Sequence, residues 1–375
     1  MAVVIFKALE KCNSNCLYCD VVKKQSDTVM PYDLLELVFL RMDDFLRANP
    51  EEYIEFIWHG GEACLLGVEY FEKALEIQNK HCPQTKSRIK HCIQSNLTII
   101  TEGLIDIFKR LGIDMIGTSF EPLPGIRGMG PERDSALYNR LFMRGLRLLE
   151  KHRMPWGLIY VVNKRSLGKT REIFHYLNNL SLRAQPMFNK IYVYTGNEYD
   201  LDITPEEYAD FLGEVLELVW SNPTRYRRIK PIASILDVVE AGSKMMCDYS
   251  GECAYRWLYI GPDGRLSHCG RAGDFGFIEY GNIREKSMVE AMKDPRRKPL
   301  ESRQSTLPET ECRECRFWGI CHGGCPMDAH YYTGSFSQPS PNCAWIKRFV
   351  RDYFEPITGL KVDMPPEVSA VPRVR

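Results

Sequence analysis

The chain has 375 residues, 44% of them hydrophobic, and its 49 Lys+Arg are matched by 49 Asp+Glu for a formal net charge of 0. That length and apolar content suffice for one large domain or two to three smaller ones, and the balanced charge without a long basic run excludes phosphate-backbone binding as the main task, so no nucleic-acid partner is expected. The apolar stretch within residues 1–11 is too short for a membrane span and has no signal-peptide cleavage pattern; no membrane partner is expected and the location reads as cytoplasmic, where 14 cysteines point to metal ligands more than to disulfides.

A first strand over residues 3–9 opens onto Cys12-Asn-Ser-Asn-Cys16-Leu-Tyr-Cys19. Thiolates spaced this way can hold three irons of a [4Fe-4S] cube and leave the fourth open to a small molecule. Buried or zinc-binding cysteines are the alternative, although structural zinc normally takes four closed ligands. Apolar periodicity then predicts helices over 31–48, 68–81, 102–110, 135–152 and 168–177, alternating with strands over 53–58, 88–95, 114–119, 156–163 and 190–195. Six strands alternating with helices imply an α/β fold with a parallel sheet and right-handed crossovers, curled into a partial or complete barrel. Functional residues belong at the carboxyl ends of such strands. His59-Gly60-Gly61-Glu62 follows the second, Ser95-Asn96 ends the third, Ser119-Phe120-Glu121 ends the fourth and Asn163 ends the fifth.

Two more helices are expected over 208–220 and 232–241, and at about residue 240 the composition turns to cysteine, glycine and short turns, a domain boundary. Cys247, Cys253 and Cys269 are followed by Cys312-x2-Cys315-x5-Cys321-x3-Cys325-x17-Cys343. Eight thiolates suit two fully ligated cubes, with a pair of zinc sites as the alternative. Residues 259–266, around a Pro-Asp-Gly turn, read as a hairpin presenting Cys269. Residues 351–375, with Pro356, Pro365, Pro366 and Pro372, read as a loosely ordered tail.

The first cysteine motif, with Tyr18 before its last cysteine, resembles the signature of radical S-adenosylmethionine (SAM) enzymes, and the later cysteines resemble the SPASM extension of that family. The resemblance implies a partial (β/α)6 TIM-like barrel over 1–240 and a cysteine-rich SPASM domain over 241–350. It implies three [4Fe-4S] clusters and SAM: one SAM-binding cluster on Cys12, Cys16 and Cys19, and two auxiliary ones, the inner on Cys247, Cys253, Cys269 and Cys325 and the outer on Cys312, Cys315, Cys321 and Cys343. Gly60, Gly61 and Glu62 would meet the SAM amino group, with Tyr18, Ser95, Asn96, Ser119 and Asn163 also at the cofactor; Ser95, Asn96 and Ser119 read equally as turns or helix caps.

The activity implied is reductive SAM cleavage to a 5'-deoxyadenosyl radical and oxidative modification of a ribosomally made peptide by crosslinking, dehydrogenation or rearrangement. A sulfatase-type protein maturase, a peptide epimerase and a small-molecule dehydrogenase are alternatives. So is a non-catalytic iron-sulfur carrier, against which Gly60-Gly61-Glu62 argues. The partners implied are the peptide or protein substrate and a flavodoxin- or ferredoxin-type electron donor. Because the chain begins almost at its first strand, leader recognition is expected from a separate binding protein or from the barrel. Sulfatase-maturing members usually show Asp-Gly-Pro after the fourth strand and an acidic residue directly after the third inner-cluster ligand. Here Glu121-Pro122 and Gly270 stand there, leaving Glu121, Asp274 and Tyr194 as candidate proton acceptors, each equally readable as structural. Cys64, two residues past Glu62, is a candidate hydrogen-atom donor; Cys82 and Cys92 read as core or surface thiols.

Overall fold

In the computed structural model, which describes residues 1–19, 26–181, 185–194, 196 and 199–366, strands and helices alternate from the start. The elements used below are β1 (Ala2–Lys7), α1 (Tyr32–Ala48), β2 (Ile54–His59), α2 (Gly67–His81), β3 (Ile89–Gln94), α3 (Glu102–Leu111), β4 (Ile113–Ser119), α4 (Ser135–Lys151), β5 (Trp156–Val162), α5 (Thr170–Asn179), β6 (Pro186–Lys190), α6 (Pro205–Ser221), α7 (Ile232–Ala241), β7 (Trp257–Ile260), β8 (Arg265–Ser267), α8 (Gly270–Phe275) and β9 (Glu279–Asn282). They fall into two compact units, Met1–Ile159 with Tyr255–Arg296, and Tyr160–Ala254 with Arg297–Arg375.

In the first unit β1 reads AVVIFK and is buried on both faces, the composition of a strand with parallel neighbours on either side. It has both. β2 pairs with it from Ala2↔Ile54 to Lys7↔His59, and β7 pairs on its other edge from Val3↔Trp257 to Phe6↔Ile260. The order is β5-β4-β3-β2-β1-β7-β8-β9, parallel from β5 to β7 and antiparallel from β7 to β9. The sheet is open, which decides for the partial barrel. Helices cover it by their apolar faces: α1 buries Leu34, Leu35, Val38, Phe39, Met42, Phe45 and Leu46 at helical spacing. The Thr101 side chain caps the start of α3 by accepting from the Leu104 amide, and Gly112 ends it in the left-handed region at φ 76°. Between the helices and the sheet, Phe6, Phe56 and Trp58 of the strands and Phe71 of α2 pack edge to face or tilted with centroids 4.8 to 5.2 Å apart.

The second unit takes the last residues of β5, then α5 to α7 and the carboxyl-terminal cysteines other than Cys269. β6 lies beyond β5 in the sheet order. It starts four residues earlier than the expected 190–195, whose end, Thr195, is outside the described residues. The reason is a distant partner: Phe188 N donates to Lys230 O and Lys230 N to Pro186 O, which holds the PMFNK segment extended whatever the propensity of the tyrosines that follow. The boundary expected at 240 is likewise not where the units divide, because the parallel β1–β7 pairing returns residues from 255 onward to the first unit. Nor are residues 351–366 loose. Arg316 donates to both Glu355 carboxylate oxygens and to Val362 O, and Gly319 N and Met364 N close a two-bond clamp, to Met364 O and Arg316 O. Residues 367–375 are outside the described residues. No helix of the described residues is long and apolar enough to cross a membrane.

Candidate functional site

The Cys12–Cys19 loop leaves β1 and is pinned by the segment that follows β4: Asn15 N donates to Gly128 O (2.8 Å) and Leu17 N to Ile126 O (3.0 Å). Burial pushes the Cys12 thiol up to about 12 and the Cys16 thiol up to about 11, and the charge of the neighbouring cysteines adds to both. Thiols so raised are inert until a cation displaces the proton. Donors for the resulting sulfur charge are in place: Ser14 N lies 3.4 Å and Asn96 Nδ2 3.9 Å from Cys12 Sγ, and Arg127 Nη1 3.9 Å from Cys16 Sγ. Among the described residues no group of three or more His, Cys, Asp or Glu side chains is gathered to hold a single metal ion.

The end of β2 is fastened to this loop. Gly61 N donates to Leu9 O (3.3 Å) and Glu62 N to Lys11 O (3.0 Å). A Cβ on Gly60 would stand 2.3 Å from Leu9 O, and one on Gly61 2.1 Å from Lys11 O. The two glycines are therefore demanded by the cysteine loop itself, before any cofactor arrives. The Glu62 carboxylate is spent on its own turn and on the end of β3, accepting from Cys64 N (3.0 Å), Ser95 Oγ (2.8 Å) and Asn96 N (2.6 Å), and burial raises it above the usual carboxylate range. Asn96 in turn donates to Asn13 Oδ1 (2.9 Å) and Ser14 Oγ (3.0 Å). Ser95 and Asn96 thus clamp three segments together. Cys64 is buried with its thiol 3.3 Å from Ser95 Oγ, and burial followed by the Glu62 charge pushes it well above the ordinary thiol value.

At the end of β4, Ser119 Oγ accepts from Gln94 Nε2 (3.3 Å). Glu121 is buried and its carboxylate is taken by Arg127 Nε and by Tyr18 OH (2.9 Å), while Arg127 also donates to the hydroxyls of Tyr18 and Tyr138. Glu121 and Tyr18 thus belong to a charged network behind Cys16. In the second unit Asn163, fully buried, caps the turn Lys164–Ser166 with its oxygen on Arg165 N and its amide on Val161 O. There too the Tyr194 hydroxyl donates to the buried Asp328, which also accepts from Asn342 Nδ2 (3.1 Å).

Asp274 is placed differently. On α8 it pairs with Lys7, whose side chain is 1% exposed at the carboxyl end of β1. Gly270 stands one turn earlier on the same helix, its missing Cβ 3.8 Å from Ile5. The helix therefore lies along β1 with Gly270 over Ile5 and Asp274 over Lys7. His59, in register with Lys7, accepts Gly60 N on Nδ1 (2.9 Å); burial and then the Lys7 charge pull it down to about 4, with Asp274 opposing. The neutral ring carries its proton on Nε2. Lys7 and Arg127 were missed by pattern reading, and His59 was placed at the end of its strand without a role. Only Lys7 left a signal, a charge closing an otherwise apolar buried strand.

In the second unit Cys312, Cys315, Cys321 and Cys343, the outer set, line one cavity of about 270 Å³ with Phe317, Trp318 and Lys347. The Cys321 thiol and Cys343 share a hydrogen bond, which pulls Cys343 below the ordinary thiol value and pushes Cys321 well above it. A cavity of that size bounded by four thiols fits a cluster and exceeds a single ion. Of the inner set, Cys247, Cys253 and Cys325 are in the second unit and Cys269 is in the first. No described cysteine is in a disulfide.

Comparison with known proteins extends these observations. The model of the radical SAM superfamily matches residues 7–177, and that of SPASM, an iron-sulfur cluster-binding domain, matches residues 247–316. A serine-type anaerobic sulfatase-maturating enzyme of Bacteroides thetaiotaomicron is 23% identical over 92% of this chain and 86% of its own length. A cysteine-type anaerobic sulfatase-maturating enzyme of Clostridium perfringens is 22% identical over 90% and 95%. Among solved structures, native anSMEcpe with bound AdoMet and Cp18Cys peptide matches with a TM-score of 0.81 at 21% identity, covering 96% of this chain and 98% of that one. Streptococcus suis SuiB bound to precursor peptide SuiA matches with a TM-score of 0.62 at 14% identity, covering 91% and 75%.

Proposed function

Because the chain is a radical SAM enzyme with a SPASM domain, holding [4Fe-4S] clusters and SAM, we propose that it oxidises a side chain of a peptide or protein substrate, with Cys12, Cys16 and Cys19 holding the SAM-binding cluster and Asp274 as the proton acceptor. Bound there, the reduced cluster and SAM would supply a 5'-deoxyadenosyl radical that takes a hydrogen atom from the substrate, with the auxiliary clusters as the sink for the electron left behind. Asp274 takes the proton released from the atom bonded to the oxidised carbon, as the electron leaves for that sink. Lys7 fixes the orientation of its carboxylate, and His59, neutral above pH about 4, offers Nε2–H beside it as a donor.

The observation that carries this reading is the seating of α8 on β1. The acidic residue that related maturases place directly after the third inner-cluster cysteine is Gly270 here, and Asp274, one turn on, projects from the same helix face onto Lys7. The relatives, a serine-type and a cysteine-type anaerobic sulfatase-maturating enzyme, support a peptide segment as substrate. A flavodoxin- or ferredoxin-type donor supplies the reducing electron.

The test incubates, in deuterated water, the anaerobically reconstituted enzyme and its Asp274→Asn variant with SAM, reductant and three candidate substrates: a sulfatase-derived peptide presenting serine, its cysteine counterpart, and the peptide encoded beside the gene, with and without its leader and with any neighbouring leader-binding protein. Loss of two hydrogens from one peptide is expected with the wild type. D274N is expected to cleave SAM normally and to form product at least about 100-fold more slowly, the usual range for a general base. Product formation by D274N at the wild-type rate would remove Asp274 from the mechanism, and gain of one solvent deuteron without other change would replace oxidation by epimerisation.

A further inference from the structure

Arg303, in the second unit, is 3% exposed, and its guanidinium is held by main-chain oxygens. Nη1 donates to Phe336 O and to Gln338 O (2.6 Å), and Nη2 to Gly323 O (2.8 Å) and Gly324 O (3.2 Å). The chain between Cys321 and Cys325 is bent to present those oxygens. His322, Gly323 and Gly324 are successive left-handed residues at φ 49°, 79° and 67°. A Cβ on Gly323 would meet Leu307 Cδ1 at 2.3 Å and Arg303 Nη2 at 3.2 Å. The two glycines are fixed by this cradle.

Carbonyl dipoles satisfy the N–H groups of a guanidinium without cancelling its charge, and a buried charge without a counter-ion is not sustained. Among the described residues no carboxylate forms an ion pair with Arg303. The anionic groups that bear on it are thiols, in falling order Cys325, Cys253, Cys321 and Cys312, and burial pulls its guanidinium below the ordinary value. Cys253 and Cys325 belong to the inner ligand set and Cys312 and Cys321 to the outer. Lys347, by contrast, feels Cys343, Cys315, Cys321 and Cys312, the outer set.

We propose that Arg303 is the shared counter-cation of the two auxiliary clusters, raising the reduction potential of each and screening the charge of one from the other. A cube with four thiolate ligands is anionic and gains one more negative charge on reduction, so a fixed cation beside it favours the reduced form. Held between ligands of both sets, Arg303 acts on both clusters through its charge and is a positioning residue, without contact to substrate. The inference rests on the proposed function and on the two auxiliary ligand sets that the family resemblance implies.

The experiment uses the full chain with Cys12, Cys16 and Cys19 replaced by alanine, so that the auxiliary clusters alone report in a redox titration followed by electron paramagnetic resonance. At a fixed ambient potential, Arg303→Met is expected to lower the reduced-to-oxidised ratio of both clusters about tenfold, 59 mV for a one-electron couple, and Arg303→Lys to restore most of it. R303M with full iron and wild-type potentials would overturn the proposal, as would movement of one cluster alone. Thermal unfolding with and without iron decides the case in which R303M is weakly folded. A counter-cation makes R303M cost more stability in the iron-loaded protein than in the iron-free one, whereas an equal cost in both assigns Arg303 to the fold and overturns the proposal. Iron and sulfide analysis of the parent showing fewer than two auxiliary clusters would strike the ligand assignment instead.

Discussion

Gly61→Ala separates two reasons for the glycines after β2. A methyl at Gly61 would lie 2.1 Å from Lys11 O, 2.4 Å from Lys11 C and 2.6 Å from Glu10 O. All three are backbone atoms leading into Cys12, and a carbon–oxygen contact relaxes only at about 3.3 Å. The loop must therefore withdraw by about 1 Å. Doing so sacrifices Gly61 N to Leu9 O and Glu62 N to Lys11 O, about 1 kcal/mol each, on top of about 1–3 kcal/mol for overpacking, so a destabilisation of about 3–5 kcal/mol is expected. Cys12 moves with the loop, and metal ligands tolerate only about 0.2 Å. Anaerobic reconstitution followed by iron and sulfide analysis should show G61A short of about a third of the wild-type iron, the SAM-binding cluster of three, with the auxiliary signals retained. If the glycine served only the approach of SAM, G61A would keep all its iron and merely need more SAM for half-maximal cleavage. Full iron content in G61A would refute the reasoning.

Two further outcomes follow from buried side chains in the first unit. Cys64→Ala removes a thiol enclosed against Ser95 and Glu62; it should cost about 1 kcal/mol of stability and leave SAM cleavage and product mass unchanged, and a variant that cleaves SAM but loses product would restore Cys64 as the hydrogen-atom donor. His91 accepts the Trp58 indole N–H on Nδ1 (3.1 Å), has Nε2 2.9 Å from the Gln78 amide, and is pulled by burial down to about 3. The unfolded chain takes up a proton near pH 6.5 that the native ring refuses, so the stability it contributes is present above that pH and is lost as pH falls towards 3, at about 1.4 kcal/mol per unit. Urea unfolding between pH 7 and 5 should show that slope and a shallower one in His91→Phe; equal slopes would show that His91 is not its source.

The sequence by itself determined what depends on neighbours along the chain. Apolar periodicity placed α1 to α4 and β1 to β5 within two residues at every end, and cysteine spacing put Cys12, Cys16 and Cys19 on one loop, because a short loop fixes its own geometry, whereas the grouping expected for the carboxyl-terminal cysteines came from the family resemblance. Gly60-Gly61-Glu62 was legible as a motif, but its reason was not. The 2.1 Å approach to Lys11 O exists only after β2 has paired with β1 in one register. The same holds for Asn96, a turn residue by sequence and a clamp on Asn13 and Ser14 in the fold.

Only the tertiary structure decided that β7 joins β1, that residues 351–366 are clamped through Arg316, and that Glu121, a base by position, is already bound by Arg127 and Tyr18. It also set Asp274 over Lys7 across 267 positions of sequence. Strand pairing and the burial of charge are settled between groups that meet only when the chain is folded, and a carboxylate's partner is chosen by register and desolvation, neither of which has a local signature.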